Sequence, residues 1–145
     1  RDLPDGAVSN HIAETASPRA DSYTIVRPEH LNHHGSLFGG QLLKWVDEIA
    51  WIVARRDWPG CRLVTRAMDQ VEFRTPVPNG SILHFHVLLA RRGTTSVPYA
   101  VEVHADEVGP GARRRGEKPV FSTRVTFASV DARGRKRPLS RRLTP

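Results

Sequence analysis

Asn32-His33-His34-Gly35-Ser36-Leu37-Phe38-Gly39-Gly40-Gln41-Leu42-Leu43-Lys44-Trp45-Val46-Asp47-Glu48 is the stretch whose reading decides the fold. A glycine pair opens an apolar segment that carries two acids. The apolar residues continue through Ile49, Ala50, Trp51, Ile52, Val53 and Ala54. A helix this apolar is expected to be buried on most sides. From Gly40 to Asp47 the chain advances seven residues, which at about 100° per residue is close to two full turns. Asp47 therefore shares a helix face with the glycine pair. A buried carboxylate is costly unless it is paired, hydrogen-bonded or used, so Asp47 and Glu48 both need a reason to be there.

The helix is expected over residues 39–56. Arg55 and Arg56 suit the negative end of its dipole, and Trp58-Pro59-Gly60 supplies breakers beyond it. Before it, residues 22–27 read as a short strand in which Tyr23 and Ile25 alternate with Thr24 and Val26. Pro28 ends that strand.

Everything after the helix reads as strand. In residues 62–73, Leu63, Thr65, Ala67, Val71 and Phe73 are expected on one face. Residues 75–80 (Thr-Pro-Val-Pro-Asn-Gly) signal a turn. In residues 81–90, Leu83, Phe85, Val87 and Leu89 alternate with His84, His86 and Leu88. In residues 96–104, Val97, Tyr99, Val101 and Val103 share a face, and Pro98 predicts an edge strand or a bulge. In residues 119–131, Phe121, Thr123, Val125 and Phe127 alternate with Ser122, Arg124 and Thr126. Short links between these strands predict an antiparallel meander or a near relative. The expected class is α+β: a five-stranded antiparallel sheet wrapped around one long central α-helix. An open sheet edge and a thinly covered face predict pairing with a second copy.

The chain has 145 residues, which suits one core. Residues 1–21 read as a mobile lead-in, 22–131 as the folded domain and 132–145 as a basic tail. No apolar run reaches the roughly 18 residues that a membrane span requires. The single cysteine, Cys61, allows no internal disulfide and points to a reducing, cytoplasmic setting. The net charge is +7, and residues 111–145 alone carry +9. Arg113, Arg114, Arg115, Arg133, Arg135, Lys136, Arg137, Arg141 and Arg142 supply it. Such a patch is a solvated surface or a polyanion contact. No nucleic-acid-binding fingerprint accompanies it, which disfavours nucleic acid as a partner.

Residues 32–56, together with Val64-Thr65-Arg66-Ala67-Met68-Asp69 and Thr94-Thr95-Ser96-Val97, resemble the hotdog-fold acyl-CoA thioesterases, in particular the cytosolic acyl-CoA hydrolase and acetyl-CoA hydrolase branch. The motif is of the form Asn-x-x-Gly-x-x-x-Gly-Gly, followed by Leu-Leu-Lys-Trp-x-Asp-Glu. The resemblance implies a hotdog fold, an acyl-CoA substrate and hydrolysis to free acid and coenzyme A. By position it makes Asn32 and Asp47 the catalytic pair, contributed by two different subunits. It places His34, Gly39, Gly40, Arg66, Ala67, Met68, Thr95, Ser96 and Val97 around the substrate. Arg66 and Met68 are larger than the family's usual residues there. It implies a homo-oligomer, a dimer at minimum with tetramer or hexamer as larger forms, and no metal or redox cofactor.

The chemistry fits those residues. Asp47 can act as general base on water or attack the acyl carbon to give an anhydride. Free N–H groups near Gly39 and Gly40 can hold an oxyanion, and Asn32 can orient water or polarise the carbonyl. Plainer roles compete: an ion pair with Lys44 for Asp47, a structural carboxylate for Glu48, and a turn residue for Asn32. His84 and His86 share a strand face and could ligate a metal, but no third ligand of fitting spacing is visible. A hotdog dehydratase or hydratase would lean on a histidine where Phe38 and Gly39 stand. A hotdog protein that binds acyl-CoA or nucleic acid without chemistry is the other rival.

Overall fold

A computed structural model describes residues 19–106, 109–112 and 118–140. Strand β1 (Arg19–Ile25) leads through a short 3-10 turn (Pro28–His30) and a loop into helix α1 (Gly39–Asp57). Strands β2 (Arg62–Phe73), β3 (Ile82–Leu89), β4 (Ser96–Ala105) and β5 (Phe121–Val130) follow. They form one sheet in the order β1-β3-β4-β5-β2, with every pairing antiparallel. The expected α+β class and the five strands around a single described helix are present. β1 begins three residues earlier than the sequence reading placed it.

The meander is only partial. β3, β4 and β5 run as consecutive neighbours, but β2 lies at the far edge, beside β5. The link from β2 to β3 therefore crosses the fold and passes the start of α1. There Leu37 N donates to Val77 O at 2.8 Å, and Ser36 bridges Pro78. Gly80 ends the crossing at φ 86°, a left-handed value that costs glycine little.

One face of the sheet supplies the core. Leu83, Phe85, Val87, Tyr99, Val101, Val103, Phe121, Val125 and Phe127 are buried on it, in the alternation the sequence predicts. Each such side chain contributes about 1.5–3 kcal/mol when fully buried. The helix meets this face with a fully buried stripe, Leu42, Val46, Ala50 and Ala54, at intervals of four residues, flanked by half-buried Leu43, Trp45, Ile49 and Val53 that pack against the same core. Of the apolar residues expected to be buried, Trp51 and Ile52 are the exceptions and remain exposed on α1.

Strand register decides which face each residue takes. Tyr23 and Ile25 point outward and are exposed, because Ser22 and Thr24 are the residues opposite Phe85 and Leu83. In β2, register shifts fall between Thr65 and Ala67 and between Asp69 and Glu72. A bulge inserts a residue and flips the alternation. Ala67 therefore faces outward opposite Thr126, while Met68 turns inward opposite Val125. Gln70, in the second irregularity, has φ 51°. Pro98 does not mark an edge or a bulge: β4 is central and Pro98 pairs in register with Thr126. Its carbonyl accepts from Ala90 N just past the end of β3, so the missing proline N–H falls where the β3 ladder has stopped.

The basic tail is partly tied down. Asp131 caps a turn by accepting from the backbone N–H groups of Arg133 and Arg135. Leu139 N donates to Thr94 O, and Ser140 N to the buried Sγ of Cys61. Arg113, Arg114, Arg115, Arg141 and Arg142 lie outside the described residues. Among the described residues, no helix is long and apolar enough to cross a membrane.

Candidate active site

The loop before α1 is built around Asn32. Its Oδ1 accepts from His34 N at 2.9 Å and from Ser36 N at 3.1 Å. Asn32 N in turn donates to Ser36 O at 2.7 Å. The turn role weighed for Asn32 is therefore real, and it occupies the oxygen. The amide NH2 is a separate donor set, and it belongs to a side chain that the loop holds in a fixed orientation.

Asn32 lines a cleft of about 440 Å³ together with His34, Gly39, Phe73, Thr75 and Val77. The cleft lies where the crossing link passes the start of α1. Phe38, the residue before the helix, provides no side-chain cap, so the first-turn N–H groups are left for another acceptor. Gly39 lines the cleft under the ring of Phe73. A Cβ on Gly39 would come within 3.2 Å of that ring, and one on Gly40 would meet the ring of Phe38 at 2.5 Å. Both glycines leave room for aromatic side chains at the mouth of the helix. Arg74 also lines this cleft and brings a cation to it, although it pairs with Glu72 at 2.8 Å.

Asp47 sits two turns along α1 and does not line this cleft. It is half-buried, and its Oδ1 accepts a 2.7 Å hydrogen bond from the Thr65 hydroxyl of β2. The alternative ion pair to Lys44 is not formed among the described residues; Lys44 is exposed. Thr65 thus fixes a carboxylate that faces the open edge strand. Glu48 is exposed.

The remaining candidates are spread. Arg66 and Ala67 are exposed on β2, and Met68 is half-buried against the core. Thr95 and Ser96 are half-buried at the β3–β4 turn beside exposed Arg91 and Arg92. Val97 is fully buried with its side chain in the core, so only its backbone can meet a ligand. One chain gathers Asn32, His34 and Gly39 at one cleft, and leaves Gly40, Asp47, Arg66, Ala67, Met68 and the β3–β4 turn outside it.

Sequence reasoning missed the cleft walls from Phe73, Thr75 and Val77, because the order of β2 and β3 in the sheet was not readable. It placed Thr65 on the inner phase of β2 without giving it a partner. It also missed Asp21 as a neighbour of His84 and His86.

The chain is 31% identical over 119 residues to the acetyl-coenzyme A thioesterase of Rattus norvegicus, a match that covers 82% of this chain. It spans only about a fifth of that relative, 21% of its length. The acyl-CoA thioester hydrolase YciA of Salmonella typhimurium is 30% identical over 119 residues, covering 80% of this chain and 86% of that protein. A hexameric hotdog-fold thioesterase of Campylobacter jejuni superposes with a TM-score of 0.72 at 34% identity, covering 82% of this chain and 88% of the other. The sequence model of the thioesterase superfamily matches residues 34–112, more than half of the chain, and the protein belongs to that superfamily.

Proposed function

We propose that the protein hydrolyses acyl-CoA thioesters to a carboxylic acid and coenzyme A, in a site shared between two copies of the chain. The observation that carries this reading is the separation of Asn32 from Asp47. Asn32 stands at the cleft by the uncapped start of α1, while Asp47 faces the open β2 edge, held by Thr65. A second copy laid along β2 would bring one subunit's Asp47 to the other subunit's Asn32. The names of the relatives support the substrate, and the hexameric Campylobacter jejuni protein supports assembly.

In this reading the thioester carbonyl lies at the start of α1, where backbone N–H groups and the Asn32 NH2 take up charge on its oxygen. Asp47 accepts a proton from water as the water oxygen attacks the acyl carbon. The C–S bond then breaks, and the departing thiolate takes that proton. Direct attack by Asp47 would use the same carboxylate and give an anhydride that water cleaves. His34, Arg66, Ala67, Met68, Thr95 and Ser96 contact the substrate, and Arg91 and Arg92 meet the phosphates of coenzyme A. Neither route calls for a metal or redox cofactor.

The test is subunit complementation with free-thiol release as the readout. Asn32→Ala and Asp47→Asn are each expected to be inactive alone. When the two are mixed and allowed to exchange subunits, roughly a quarter of wild-type turnover should return if sites are shared across a two-fold interface. A mixture as inactive as its components would confine the site to one chain. Wild-type protein that releases no thiol from short, medium, long or aromatic acyl-CoAs would defeat the activity itself.

A further inference from the structure

We propose that Asp21, His84 and His86 form a binding site for a divalent first-row transition metal ion, of the zinc type, on the outer face of the sheet. The site follows from the β1–β3 register. His84 and His86 are two residues apart on a strand, so both imidazoles stand on one face. Pairing sets Asp21 opposite His86 and Tyr23 opposite His84. Asp21 Oδ1 lies 2.6 Å from His86 Nδ1 and 2.8 Å from His84 Nε2. The three ligand atoms fall within 4.8 Å of one another.

Two imidazole nitrogens and one carboxylate oxygen are a donor set that binds zinc and its neighbours and leaves a position open. Metal–ligand bonds of about 2.0–2.2 Å in tetrahedral geometry separate ligand atoms by about 3.4 Å. The present N–O distances of 2.6 and 2.8 Å must open by about 0.6–0.8 Å to reach that separation, and the part freest to move is the carboxylate. The imidazoles are held: the Tyr23 ring stacks on His84 at 4.5 Å and 9°, and the side chains of His84 and His86 are only 12% and 17% exposed. Asp21 is more open and can swing. Burial works to raise its pKa, but hydrogen bonds from His86 and His84 outweigh that and hold it below the ordinary carboxylate value. Glu102 stands opposite His86 on β4 and adds negative charge to the same face.

Metal binding would replace hydrogen bonds with coordination. The ring nitrogens facing Asp21 must present lone pairs, so their protons move to the other ring nitrogen or leave, and affinity falls in acid. The ion would clip the edge strand β1 to β3. The core face and α1 lie on the other side of the sheet, so this role is separate from hydrolysis.

The experiment uses the full chain without an affinity tag, stripped with a chelator and titrated with zinc chloride by calorimetry. One ion per chain is expected, with a Kd of about micromolar or tighter and a raised Tm. Magnesium should not compete. The His84→Gln/His86→Gln variant should lose at least about a hundredfold in affinity while keeping its far-UV spectrum and its thiol release. As a readout independent of any variant, histidine ring 15N signals of wild-type protein should shift for His84 and His86 on adding zinc. Absent binding, unchanged binding in the double variant, or shifts confined to His33, His34 or His104 would each overturn the site and leave the trio as hydrogen-bonded surface.

Discussion

The Thr65 hydroxyl donates to Oδ1 of Asp47 across 2.7 Å, joining the start of β2 to the middle of α1. A carboxylate that must meet water or an acyl carbon in one orientation gains from such a tether. Thr65→Val keeps the side-chain shape and removes the donor. We expect kcat to fall by about 10- to 100-fold with KM changed less than about threefold, and Thr65→Ser to recover most of the loss. A Thr65→Val enzyme whose kcat matches wild type would reduce this contact to packing.

One substitution can separate the structural role of Asn32 from its proposed catalytic one. Its Oδ1 organises the loop through His34 N and Ser36 N, while the proposed mechanism gives its NH2 to the substrate carbonyl. Asn32→Asp preserves an acceptor for both loop hydrogen bonds and deletes the donor. Turnover should fall by at least about a hundredfold, with Tm within a few degrees of wild type. If Asn32→Asp stays active while Asn32→Ala unfolds the loop, Asn32 is a turn residue and no more.

What could be read from the sequence was what depends on local period. The helix was legible because residues 39–57 combine breakers at both ends with an apolar run. The inner faces of β3, β4 and β5 were legible because nearly every second residue within each strand is apolar, with Thr123 as the buried exception. β2 failed on that same rule: its two register shifts turn Ala67 outward and Met68 inward, and nothing local announces a bulge. Exposed Trp51 and Ile52 read as core because hydropathy does not say whether a face meets the sheet or remains uncovered by it. The site was half legible for a related reason. Asn32 and Gly39 are close in sequence, whereas the walls from Phe73 to Val77 arrive by a crossover that reorders the strands. Asp21 beside His84 and His86 is a contact across more than 60 residues, fixed by register alone.

At the far end of α1, Trp58 Nε1 donates to the Tyr99 hydroxyl at 3.2 Å, and that hydroxyl donates to Asp57 Oδ2 at 2.7 Å. Trp58 is 4% exposed and Tyr99 fully buried. Tyr99→Phe leaves the indole N–H without its acceptor in a dry environment, which costs about 1–3 kcal/mol. For a domain of this size, that lowers Tm by roughly 3–10 °C. Differential scanning fluorimetry of the variant decides it, and an unchanged Tm would mean that water replaces the hydroxyl.

The last expectation concerns the β2 edge. Among the described residues β2 has a strand neighbour on one side only, β5, and it exposes Val64, Val71 and Phe73 along its length. An apolar, unpaired edge strand invites another chain, and α1 adds exposed Trp51 and Ile52. Pairing of two copies would cover these groups and bring a second Asn32 cleft toward Asp47. Val64→Lys/Val71→Lys places two like charges per chain on that edge. The expected result is a light-scattering mass near one chain, 16.2 kDa, with turnover lost and the far-UV spectrum kept. Wild-type protein should weigh at least twice as much. If the wild type is monomeric at micromolar concentration and active, the second copy is unnecessary and the shared-site reading fails. If the double variant is monomeric and still active, β2 carries an interface without contributing to the chemistry.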